Sequence, residues 1–177
     1  MTVLGLDCAG KTAGVALCTD GELFYESRLC AGFTHSETLL PLCEEALRAC
    51  RLSLQDISLL AVTAGPGSFT GLRIGLATVK GLAFAHGTPC AGVSTLEALA
   101  FCAPPVGSCV CALDALGGRR AQDIFLLPEH ARCPGALGVC RAALQVQPQS
   151  AETLAPRYLR LSQAERERAE KLARKGL

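Results

Sequence analysis

No two cysteines in this chain stand at C-x-x-C spacing, although it holds eleven of them beside only three histidines. The nearest pair is Cys109 and Cys111, and no histidine lies at a finger-like distance from cysteines. A structural zinc site is therefore not written into the sequence. Cys18, Cys43, Cys50 and Cys102 sit among apolar residues, where a thiol packs as a small hydrophobe. Reduced thiols are expected, and their odd number argues against an oxidising compartment.

Net charge is nearly absent as well, +1 over 177 residues. No field of the whole chain draws it to nucleic acid or to an anionic membrane, which leaves only a local patch open. The start, MTVLGLDCAG, has neither the basic opening nor the long apolar run of a secretion signal, so a cytoplasmic location is expected. No G-x-S-x-G elbow surrounds any serine, and a triad of His35, Ser36 and Asp7 has no motif behind it.

Hydrophobic residues make up 50% of the chain, enough for a real core in one domain or two small ones. The stretch AVTAGPGSFTGLRIGLATVKGLAFA, residues 61–85, organises the rest. It reads as strand, glycine turn and helix, with Ser68 and Thr70 placed to cap the helix. Gly71, Gly75 and Gly81 lie inside that helix, each at about 1 kcal/mol against alanine. Gly71, Gly75 and Thr78 share a face bare enough for another backbone to come close, with Leu72, Leu76 and Val79 beside it. Two occupants fit that face: the chain's own sheet, or a helix of a partner. Arg73 and Lys80 argue against a membrane span, and the run is short for one.

Three strands are expected over Thr2–Asp7, Ala13–Cys18 and Glu22–Leu29, the last two joined by the turn Thr19-Asp20-Gly21. A capping box of Thr34 and Glu37 opens a first helix, which contains Pro41. Residues 53–56 read as a short connection. Strands over 57–63 and 89–93 flank the glycine helix, and Ser94 with Glu97 caps a helix to Cys102. Residues 1–102 thus run β-β-β-α-β-α-β-α, the order of one lobe of the actin-like ATPase and sugar-kinase fold, whose lobes resemble ribonuclease H. Residues 103–177 are expected to form a shortened second lobe. It has strands near 108–113 and 124–127, a helix over 136–144, and a charged helix opened by Ser162 and Glu165.

Gly5 to Thr12 matches the phosphate-loop pattern G-x-x-x-x-G-K-[ST] literally. A true loop of that kind needs Thr12 to start a helix, whereas a strand and a hairpin turn follow it here. As the first hairpin of an actin-like lobe, the same residues would place Asp7 at a strand end, where it could meet a metal–phosphate group or simply be a polar terminus.

AGPGSFTGLRIGLATVKGLAF followed by GVSTLEALA resembles the bacterial TsaB (YeaZ) family. LGLDCAGKTAGVAL, THSETLLP and PRYLRLSQAERE are similar to its first hairpin, first helix and C-terminal segment. The resemblance implies a two-lobed actin-like fold in a non-catalytic subunit of the complex that forms N6-threonylcarbamoyladenosine at position 37 of ANN-decoding tRNAs. The implied partners are a catalytic TsaD-like paralogue and a TsaE-like ATPase, with a homodimer where the paralogue is absent. tRNA is reached only through the complex, and no membrane is involved. No cofactor is implied for the isolated chain, and a nucleotide at the subunit junction is left open. In the paralogue a His-x-x-x-His pair on the helix after the glycine motif holds a metal. The matching positions here are Thr95 and Leu99, so no catalytic or metal residue is assigned. Gly71, Leu72, Gly75, Leu76, Thr78 and Val79 are the expected partner interface. Family members carry a block of strands and a helix that is missing here near residues 121–126. The alternatives are an ATPase, kinase or metallopeptidase-like enzyme of the same superfamily, or a P-loop NTPase.

Overall fold

The computed structural model describes residues 1–30, 35–102 and 135–158. Its framework is one five-stranded sheet in the order β3-β2-β1-β4-β5. β1 (Thr2–Asp7), β2 (Ala13–Thr19) and β3 (Glu22–Leu29) form an antiparallel meander. Asp20 and Gly21 both take positive φ at 51° and 85°, the twist that lets a two-residue turn join neighbouring strands. β4 (Leu59–Gly65) runs parallel to β1, and β5 (Cys90–Ser94) runs parallel to β4. Strands buried on both faces explain the unbroken apolar runs.

Alternation along the strands divides the core into two layers. Leu4, Leu6, Leu60 and Val62 face α1 (His35–Ala49) and α2 (Phe69–His86). Val3, Ala61, Ala91 and Val93 face α3 (Thr95–Cys102) and α4 (Ala136–Ala143). Ser94 donates its backbone N–H to the Glu97 carboxylate at 3.3 Å, the back-reaching half of the expected capping box. The connection over 53–56 contains a single 3-10 turn, Leu54–Asp56. Asp56 accepts from both the backbone and the hydroxyl of Ser53 at 2.7 Å.

The described part of the expected second lobe packs with the first. α4 lies on β1, where Gly5 leaves room for its Cys140: a Cβ at residue 5 would stand 2.5 Å from that sulfur. Glu26 of β3 accepts the backbone N–H of Leu137 at 3.2 Å, capping α4 from a distant strand. Residues 149–157 then strap the opposite layer. Gln149 exchanges two 2.8 Å backbone bonds with Cys90, Leu154 is buried, and Arg157 donates to the carbonyl of Ala64 at 2.7 Å. The expected boundary at residue 103, the strands at 108–113 and 124–127, the missing block, the Thr34 cap and the C-terminal helix lie outside the described residues.

Candidate functional site

The parallel strands β1, β4 and β5 end together, and ends of that kind are where α/β sheets offer sites. Asp7 closes β1 and is buried. Its Oδ1 accepts from the Thr63 hydroxyl at 3.2 Å and from the backbone N–H of Ala9 at 3.1 Å, and Thr63 in turn accepts the Cys8 N–H at 3.2 Å. Burial pushes the Asp7 carboxyl up to about 7, against the opposing pull of those two bonds and of Arg28.

The turn after β1 does not open into a phosphate cradle. Ser68 gives its backbone N–H to the carbonyl of Ala9 at 2.8 Å, and a Cβ on Gly67 would lie 2.7 Å from that same oxygen. Ser68 caps α2 through Gly71 at 3.2 Å, so the helix N-terminus meets its own chain. Thr12 lies in a bend that leads into β2, not at a helix start, which removes the P-loop reading. His35 and Ser36 sit in the first turn of α1, whereas both bonds to Asp7 come from Thr63 and Ala9, so no triad is assembled. Gly65, at φ 124°, faces the carbonyl of Arg157 at a distance no side chain would allow.

The glycine face of α2 packs against its own chain. Gly71, Leu72, Gly75, Leu76 and Val79 are buried, and Thr78 is half-buried with its hydroxyl on the carbonyl of Ile74 at 2.9 Å. A Cβ on Gly75 would stand 2.9 Å from Cys8 Sγ and 3.1 Å from Val62, and one on Gly71 would collide with the Cys8 carbonyl. The bare face seats α2 on the end of β1. What α2 turns outward is Arg73, Ala77, Gly81 and Phe84, the last 90% exposed. Beside it α1 turns out Leu40, 45% exposed.

Thr95, at the start of α3, is 1% exposed and its hydroxyl has no partner among the described residues, while Leu99 one turn on is half-buried. Neither side chain replaces an imidazole. Among the described residues no three His, Cys, Asp or Glu side chains gather as a metal set, and no helix is long and apolar enough to cross a membrane.

A last cluster lies where α2 meets the strap, and sequence reasoning missed it. Arg73 donates from Nε to the Tyr158 hydroxyl at 2.8 Å, and its guanidinium lies 4.0 Å over the Phe69 ring. Phe69 and Tyr158 stack at 4.8 Å between centroids. The only signal available was that Arg73 follows Phe69 by one helical turn.

The sequence profile of the family described as TsaD: tRNA N6-adenosine threonylcarbamoyltransferase matches residues 30–119, just over half of the chain. The tRNA threonylcarbamoyladenosine biosynthesis protein TsaB of Escherichia coli is 41% identical over 100 residues, 56% of this chain and 43% of that protein. The TsaB of Bacillus subtilis is 37% identical over 100 residues, 56% of this chain and 44% of that protein. This chain belongs to the family that this profile describes, and its similarity to the TsaB proteins lies within it. It spans less than half the length of those two TsaB relatives along the matched stretch. The fold agrees: YeaZ from Pseudomonas aeruginosa superposes with a TM-score of 0.71 at 23% identity, covering 89% of this chain and 99% of that one. The TsaB resemblance noted at the glycine motif and the actin-like, ribonuclease H-like fold are both established by these matches.

Proposed function

We propose that this chain is a non-catalytic subunit of the assembly that forms N6-threonylcarbamoyladenosine on tRNA. In that assembly it scaffolds and activates a TsaD-like transferase. The observation that carries the reading is the pair Thr95 and Leu99 on α3. A metal-holding member needs two imidazoles one turn apart there, and this chain offers a buried hydroxyl and a hydrocarbon.

The docking surface of this reading is the outer face of α1 and α2, not the glycine face. The two helices lie side by side over one core layer, and Leu40 and Phe84 stand out from them. Aromatic side chains such as Phe are enriched at the cores of protein interfaces. A TsaD-like paralogue is the proposed occupant, with a second copy of this chain taking its place when the paralogue is absent. A TsaE-like ATPase completes the set, and any nucleotide sits at the junction.

Co-purification with the TsaD-like protein, followed by a tRNA-modification assay with and without this chain, tests the reading. Stable association and chain-dependent modification support it. Turnover by the isolated chain overturns it in favour of an enzyme of the same superfamily.

A further inference from the structure

Three segments of the chain meet at one corner: the turn over 8–12, the glycine turn with the first helical residues over 65–73, and the end of the strap over 154–158. Backbone contacts fix the meeting, Ser68 to Ala9 at 2.8 Å and Arg157 to Ala64 at 2.7 Å. The segments carry Lys11, Arg73 and Arg157, all exposed, and no carboxylate at all. Of the acids nearest in sequence, Asp7 is buried beneath the turn, and Glu152 is exposed on the strap two residues before its last segment. A chain of net charge +1 thus gathers three cations that make no ion pair among the described residues on one corner.

Arg73 is held in advance of any ligand. Its plane rests on Phe69 at 4.0 Å and its Nε is bonded to Tyr158. Among the described residues neither Nη of Arg73 is bonded, so the outer edge of the fork keeps its donors. A guanidinium fixed in this way loses little further entropy on meeting a phosphate, and two parallel N–H groups match two phosphate oxygens. Tyr158, 39% exposed, adds an aromatic surface beside the cations.

We propose that this corner, made of Lys11, Arg73 and Arg157 around Phe69 and Tyr158, binds the phosphate backbone of an RNA strand. Cations spaced around an aromatic surface suit a polynucleotide, whose phosphates and planar bases alternate. An acidic peptide would satisfy the cations and leave the ring without a planar partner. The inference rests on the tRNA-modification reading and deepens it: the subunit holds part of the RNA that the transferase modifies.

Fluorescence anisotropy with a labelled anticodon stem-loop RNA tests this, using the full chain bound to its transferase partner at a series of salt concentrations. The double variant K11Q/R157Q removes two exposed side chains that make no hydrogen bond or ion pair among the described residues, so folding is retained. Affinity at low salt is expected to fall about tenfold, and the salt slope of log affinity by about two, one per lost phosphate contact. With Lys11→Gln kept, Arg157→Lys in place of Arg157→Gln is expected to return about one of those two units of slope. An unchanged affinity and slope in the double variant overturns the proposal. So does ATP binding that depends on the same residues while RNA binding does not. Size-exclusion of the complex separates the two readings. If the chain never joins the transferase, the function reading fails, and the same variants of the chain alone then decide RNA binding by the same slope.

Discussion

The sulfur of Cys8 fills the space that a side chain at Gly75 would need, 2.9 Å from an ideal Cβ there. The helix therefore sits on the end of β1 as closely as backbone and sulfur allow. Gly75→Leu is expected to destabilise the chain itself by about 3 kcal/mol, through overpacking. Gly81, on the same helix, has nothing within 4 Å of a built Cβ and is exposed. Gly81→Ala is expected to stabilise by about 0.5–1 kcal/mol. Urea unfolding of the two variants checks both signs, and a Gly75→Leu chain as stable as its parent contradicts the packing.

How much of this was legible beforehand depended on range. The apolar runs over Thr2–Asp7 and Ala13–Cys18, the turn at Thr19-Asp20-Gly21 and the Ser94–Glu97 box are local, and the elements they mark formed where expected. The direction of the α2 glycine face was not legible. A face without side chains admits any close backbone, and the sequence does not say whose. Apolar residues all round α2, from Leu72 to Phe84, gave no contrast to decide it. The packing of α4 was equally hidden, since the bond from Leu137 to Glu26 spans 111 residues and no short motif encodes it. The 3-10 turn over 54–56 had a signal, Ser53 three residues before Asp56, that went unused.

Asp7 makes stability depend on pH. Its carboxyl is raised from 3.8 to about 7 by burial, so between those values the folded state binds a proton that the unfolded state has released. Stability is therefore fully present below about 4 and is lost as pH rises through 7, by about 4 kcal/mol at most for a shift of this size. Asp7→Asn keeps an acceptor for Thr63 and Ala9 and removes the proton. Urea unfolding at pH 5 and pH 8 is expected to show a falling stability in the parent and a flat one in the variant. An equal slope in both contradicts the assignment.

Ser68 holds the first turn of α2 by accepting the Gly71 N–H at 3.2 Å. Ser68→Ala is expected to cost about 1 kcal/mol, and Ser68→Asp to retain most of it. Thermal melts of the three chains check this, and equal midpoints for Ser68→Ala and the parent speak against the cap.

Phe84, 90% exposed, contributes little to this chain's own core. Phe84→Glu is expected to leave unfolding within about 0.5 kcal/mol of the parent. It should weaken association with the transferase by about 2 kcal/mol or more. Calorimetric titration measures the second quantity, and an unchanged affinity moves the interface elsewhere.

The most direct measurement is the yield of threonylcarbamoyladenosine on tRNA in a reconstituted reaction, run with and without this chain. With the TsaD-like transferase and the other components present, modification is expected to depend on the chain, and the chain by itself is expected to yield none. Equal modification in its absence, or product formed by the chain alone, would contradict a subunit that works by docking beside the reactive centre.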